Sequence, residues 1–203
     1  KGRMLGSFGD MAAFSFSYYK PLSSCGGGGG MVVFNGDKGN RIRQWMEDWR
    51  NDGELLKTGQ RFAPMSFMDL IALQVKFSRL KEIIKSRHLI KALYEEGLSS
   101  LKGLTIFKDQ DKTESVAQNF VVCTKNKDKM IDFLTAQGIA VQKPYLSLHH
   151  LKVLKGLKKD DFPVSEEYSK TAFHLPLHSF MSKDKAQFVV ESCRLFIEGK
   201  NQR

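Results

Sequence analysis

Cysteine is scarce in this sequence: Cys25, Cys123 and Cys193 are the three in a chain of 203 residues. An odd number at irregular spacing excludes a disulfide framework and a cysteine-based zinc site, and predicts reduced thiols. No apolar run approaches the ~20 residues that cross a bilayer, and the first positions lack the charged-then-apolar order of a secretory leader. No internal repeat is visible, and the run Gly26 to Gly30 is the sole low-complexity tract. These absences predict a soluble, cytoplasmic protein without a membrane partner. What is abundant is basic charge, Lys+Arg 32 against Asp+Glu 22 for a net +10. The lysines are scattered and mostly alternate with acids, so nucleic acid is not expected as a partner, while a phosphate or nucleotide ligand is compatible. A hydrophobic share of 41% supplies material for one or two packed cores.

The pattern along the chain is mixed. Met11 to Tyr19 alternates, with Phe14, Phe16 and Tyr18 on one face and Ala13, Ser15 and Ser17 on the other, which predicts a strand. Lys20-Pro21 ends it, the glycine run follows, and Met31 to Phe34 reads as a second strand. Asp37 is placed to cap a helix with Ile42, Trp45, Met46 and Trp49 on a buried face, stopped at Asn51-Asp52-Gly53. Ser66 with Asp69 forms a capping box that opens one long helix, with apolar positions from Leu70 to Leu93 persisting to Gly97. That length predicts a spine between two domains, with boundaries at 1–84 and 85–203. Beyond it, strands are expected near Leu104 to Phe107, Val116 to Val122 and Ile139 to Gln142, with a helix near Lys127 to Gln137. Irregular chain to Asp161 precedes a strand from Thr171 to Leu177 and a closing helix capped by Ser182. Its apolar side is read as Phe188, Val189, Ser192, Cys193 and Phe196. The whole is α/β, with a small antiparallel α+β domain at the end.

Two segments carry candidate chemistry. Consecutive glycine amides can form an anion-binding nest, yet a strand follows the run where a nucleotide loop requires a helix, so nest and plain hairpin loop both stand. Lys20 stands beside Ser15 and Ser17 and before that loop. It is either a nucleophilic amine exposed to a cavity or a solvated surface lysine. His174 and His178 are separated by Pro176, which forbids the helix that would aim both at one metal, so no metal site is expected. His149-His150 reads as a surface or substrate-loop pair rather than as ligands, and Trp45 with Trp49 as core.

The order Gly6-Ser7-Phe8-Gly9-Asp10, then Ala13-Phe14-Ser15-Phe16-Ser17-Tyr18-Tyr19-Lys20, then Gly29-Gly30-Met31-Val32 resembles the core of the DegT/StrS family of pyridoxal-phosphate (PLP) sugar aminotransferases. Met65-Ser66 with Ala72 and Gln74-Val75, Arg87, Tyr145 with Leu148-His149, and Leu175-Pro176-Leu177 agree with it. The resemblance implies the C-terminal half of a fold type I PLP-dependent transferase: the end of the large α/β domain, the long interdomain helix and the small α+β domain. A chain that starts at Lys1 in a strand-like pattern fits a piece whose N-terminal half, with most of the large sheet, is missing.

By the same resemblance, Lys20 binds the cofactor aldehyde and moves the proton between Cα and C4′, Ser15 contacts the cofactor phosphate, and Ser17 neighbours PLP. Arg61 stands in Gly59-Gln60-Arg61-Phe62, where the family has an asparagine that reaches the partner subunit's phosphate, and is assigned as its substitute. Gly28 replaces the acidic residue before Gly-Gly, and Pro144 replaces a histidine. The implied reaction moves an amino group from an amino acid to a keto group of a nucleotide-linked sugar, in a homodimer. The alternative is a degenerate relative serving as a binding or assembly module.

Overall fold

A computed structural model describes residues 2–26, 28–51, 65–144, 147–151, 154 and 156–199. Arg61, Gly53, Pro64 and Tyr145 lie outside the described residues, as does the side chain of Trp49. The chain divides into two compact units, 1–81 and 82–203. Among the described residues no helix is long and apolar enough to cross a membrane.

In the first unit, β1 (Met11–Ser15) pairs antiparallel with β2 (Gly30–Phe34), Met11 opposite Phe34 and Ser15 opposite Gly30. The strand expected to reach Tyr19 stops at Ser15. There the Ser15 hydroxyl accepts from the Ser17 amide at 3.3 Å, and Lys20 N–H donates to the Ser17 carbonyl at 2.9 Å, closing a turn. Such local bonds compete with a strand ladder. Gly30 is required opposite Ser15, because a Cβ there would lie 2.7 Å from the Phe14 carbonyl oxygen.

Helix α1 (Gly36–Asn51) begins before Asp37, which sits in its first turn, so Asp37 is a dipole partner rather than the cap. Asn35 holds the junction by donating to the carbonyls of Gly6 and Gly9 at 3.0 and 2.8 Å. Trp45 is 63% exposed, against the expectation of a core position.

The expected single long helix is two, α2 (Phe67–Ser78) and α3 (Leu80–Leu98). The Ser78 hydroxyl donates back to the Val75 carbonyl at 2.8 Å, while the Arg79 amide turns to the Lys76 and Phe77 carbonyls. Back-bonding of this kind bends helices, and here it accompanies the break at Arg79. The N-terminus agrees with the sequence: Ser66 Oγ accepts from Asp69 N–H at 3.1 Å.

The second unit holds a three-stranded antiparallel sheet, β3 (Thr105–Ile106), β4 (Phe120–Cys123) and β5 (Ala172–Leu175), in that order. The strands are shorter than expected, and the segment at Ile139 to Gln142 contributes a single bridge from Gln142 to His174. Helices α3, α4 (Lys127–Ala136) and α6 (Lys183–Gly199) supply the rest of one core, in which Ile90, Tyr94, Val122, Met130, Phe173 and Val190 are buried. Each such side chain contributes about 1.5–3 kcal/mol of transfer free energy. Gly97 lets α3 approach α6, because a methyl there would overlap the buried Val190 side chain.

Ser182 caps α6, its hydroxyl accepting from Lys185 N–H at 3.3 Å. Phe188 faces outward, and Ala186 and Val190 take the buried face with Val189, Cys193 and Phe196. The irregular stretch contains two short 3-10 turns, Leu148–His150 and Lys159–Asp161. After it, α5 (Pro163–Thr171) occupies residues that carried no helix signal, since Glu166 is its one buried residue and no apolar stripe exists to detect.

Candidate active site

The predicted lysine site is a turn held between a strand end and a loop. Ser15 terminates β1, Ser17 donates its amide to the Ser15 hydroxyl, and the Ser17 carbonyl accepts from Lys20 N–H. Two consecutive bonds therefore fix Ser15, Ser17 and Lys20 on one short piece of backbone. Lys20 is half-buried, and among the described residues its Nζ makes no hydrogen bond or ion pair. Phe16 continues the ladder for one step, donating to the Gly29 carbonyl at 2.9 Å and accepting from Ser24 N–H at 2.8 Å. The structure thus places three of the four assigned residues together, and Arg61 lies outside the described residues.

The glycine loop is tied to α2. Asp69 Oδ1 accepts from the amides of Cys25 at 2.9 Å and Gly26 at 2.5 Å, and Lys76 Nζ donates to the Ser23 carbonyl at 2.7 Å and its hydroxyl at 3.0 Å. Asp69 and Lys76 are seven residues apart, two helical turns, and so reach the loop from one face. Inside the loop the buried Ser24 hydroxyl donates to the Gly28 carbonyl at 2.6 Å and accepts from Gly28 N–H at 3.1 Å. Among the described residues of the glycine run considered as a nest, Gly26 alone joins Cys25 in donating to an anion, the internal carboxylate of Asp69, while Gly28 N–H donates to Ser24. The Ser66 hydroxyl first, then the Gly26 amide, hold the Asp69 carboxyl below its ordinary value of 3.8, against a smaller opposing effect of burial.

Asp69 and Lys76 as clasps were missed by sequence reasoning. Ser66-x-x-Asp69 is visible as a cap, but nothing local announces that the same carboxylate reaches 43 residues back to Gly26. His149 departs from the expected surface position, its side chain being 3% exposed, whereas His150 is exposed as expected; both rings meet Glu166. His174 on β5 and His178 are both pushed to lower pKa by burial.

The helices and small antiparallel sheets of the two units are α/β in class. Over residues 1–194 the sequence matches the DegT/DnrJ/EryC1/StrS aminotransferase family, and the chain belongs to it. It is similar to dTDP-3-amino-3,4,6-trideoxy-alpha-D-glucose transaminase of Streptomyces venezuelae, 25% identical over 209 residues that cover 100% of this chain and 54% of that protein. It is 28% identical over 204 residues to the pleiotropic regulatory protein of Geobacillus stearothermophilus, covering 96% and 54%. Among solved structures, the apo-form of the putative sugar aminotransferase Spr1654 from Streptococcus pneumoniae matches with a TM-score of 0.84 at 19% identity, covering 98% of this chain and 54% of that one. The chain spans about half the length of the curated relatives it matches.

Proposed function

We propose that this chain is the C-terminal half of a PLP-dependent aminotransferase that moves an amino group from an amino acid to a keto group of a nucleotide-linked sugar. The observation that carries the reading is the half-buried Lys20 on the turn with Ser15 and Ser17, in a chain whose family match runs over residues 1–194. The donor set fits the cofactor: a primary amine for the aldehyde, with the Ser15 and Ser17 hydroxyls as polar groups within six residues of it. When bound, PLP supplies the electron sink for carbanion chemistry. Lys20 Nζ would hold the cofactor aldehyde, and its neutral amine would take the proton from Cα of the amino donor. The Ser15 hydroxyl would orient the phosphate, Ser17 would neighbour the cofactor, and Arg61 is assigned a supporting cationic role at the phosphate.

Met4, Leu5, Phe8, Phe67, Met68 and Phe77 of the first unit are each more than 60% exposed. Uncovered apolar surface of this kind supports further protein over this unit, which we assign to an N-terminal half and to a second subunit in a homodimer.

The test adds PLP to the full-length protein that carries this chain. A visible absorption band of bound cofactor that borohydride fixes onto Lys20, and that Lys20→Ala abolishes, is expected. Absence of any band, or fixation elsewhere, rejects the enzyme and leaves a binding or assembly module.

A further inference from the structure

The adjacent histidines meet a single carboxylate. His149 and His150 stand on the turn Leu148–His150, and Glu166 lies in the first turn of α5. Oε1 of Glu166 accepts from Nε2 of His149 at 2.7 Å and also from Nε2 of His150. The three ligand atoms lie within 4.8 Å of one another. His149 is oriented by packing: its ring stacks on Phe162 with centroids 4.8 Å apart and planes at 11°, and stands edge-on to His150 at 4.6 Å. Its side chain is 3% exposed and that of Glu166 11%, whereas His150 keeps 26% and leaves one side open to solvent.

We propose that His149, His150 and Glu166 bind a divalent transition-metal ion of the zinc type. Two imidazoles and one carboxylate suit Zn²⁺ or Co²⁺ rather than Mg²⁺ or Ca²⁺, which take oxygen ligands, and they leave a fourth position for water. Metal–ligand bonds of about 2.0–2.2 Å set tetrahedral donors roughly 3.3 Å apart, so His149 Nε2 and Glu166 Oε1 would move apart from 2.7 Å while the widest pair, within 4.8 Å, would close toward that spacing to admit the ion. Both Nε2 atoms must present lone pairs, so each proton now donated to Glu166 moves to Nδ1 or is released to solvent on binding. Among the described residues, Glu166 borders an open cavity of about 550 Å³ also lined by Asp160, Glu167 and Lys170. Lys170 Nζ, 3.8 Å from Glu166 Oε2, opposes a bound cation, but its side chain is 75% exposed and therefore screened by solvent.

A hydrogen-bonded latch joining the turn to α5 is the competing role, and the two are separable. The full, untagged chain is stripped with a chelator and titrated with Co²⁺ and Zn²⁺. One ion per chain, visible ligand-field bands for Co²⁺, displacement by Zn²⁺, and a melting temperature raised by Zn²⁺ are expected. Glu166→Gln keeps an acceptor for the imidazoles and so preserves the latch, yet removes the charged ligand; affinity falls at least about tenfold. His150→Ala, at the more exposed ligand, gives the same loss. Circular dichroism checks that each variant is folded. No uptake by the wild type at roughly 100 μM free ion, or uptake unchanged in both variants, overturns the proposal.

Discussion

Arg87 is buried at 6% exposure, and among the described residues no carboxylate pairs with it. Its Nη1 donates to the carbonyls of Ala117, Gln118 and Leu177 at 3.0, 3.1 and 3.2 Å, while Nε is buried without a partner. Burial lowers the guanidinium's pKa, yet arginine stays charged, so the cost of desolvation is met by carbonyl dipoles alone. One of those carbonyls belongs to Ala117, which holds φ at 48°, a left-handed backbone that a residue with a Cβ rarely adopts. Arg87 therefore fixes a strained loop entering β4 and the segment leaving β5. Arg87→Met leaves the carbonyls unsatisfied, and urea unfolding is expected to show a loss of about 2–3 kcal/mol. A variant as stable as the wild type would show that water replaces the guanidinium at no cost. The sequence placed Arg87 on its helix but could not show its partners, which lie 30, 31 and 90 residues away. Ser15, Ser17 and Lys20 were read from local spacing, although the strand expected to carry them ends at Ser15.

At the scale of elements, α2 acts on the glycine loop through Asp69. The folded carboxyl titrates below its ordinary 3.8, chiefly because Ser66 and Gly26 donate to the charged form. A depressed folded pKa means that this contact stabilises above the unfolded value and is lost as pH falls through the folded value. In an amide titration, the Cys25 and Gly26 N–H signals should therefore shift with a midpoint below 3.8. Asp69→Asn should remove that step and speed exchange of both amides at neutral pH, without altering β4 or β5. A midpoint at or above the ordinary carboxylate value would mean that the tether is absent in solution.

The start of α2 was readable because capping chemistry is contained in Ser66-x-x-Asp69. The break before α3 was not: it accompanies Ser78 turning its hydroxyl to Val75, a choice that apolar periodicity cannot register. Helix α5 was invisible for a related reason. It buries the carboxylate of Glu166 where a periodic helix would bury leucine.

For the whole molecule, the two units differ in how much they bury. In residues 82–199 one continuous core joins α3, α4 and α6 to the sheet, with Ile90, Tyr94, Leu98, Met130, Leu134 and Phe173 at 0% exposure. Among the described residues of the first unit, Ser24, Gly39 and Leu73 are buried, and α2 exposes Phe67, Met68 and Phe77. The sequence reading set a boundary at 84/85 within one long helix, and the compact units divide at 81/82. The imbalance was not legible, because alternation in β1 and β2 marks apolar faces without saying what covers them. Local stability follows buried apolar contact, so opening free energies should be graded along the chain. In native-state hydrogen exchange of this 203-residue chain, amides of β4, β5 and α3 are expected to exchange through global opening, and those of β1 and β2 at least about a hundredfold faster. Full-length protein should slow β1 and β2 selectively, since added protein would cover the apolar surface of their unit and leave the second core unchanged. Equal protection of both sheets in the isolated chain would show that the hairpin is already covered, and would remove the apolar-surface support for a further half.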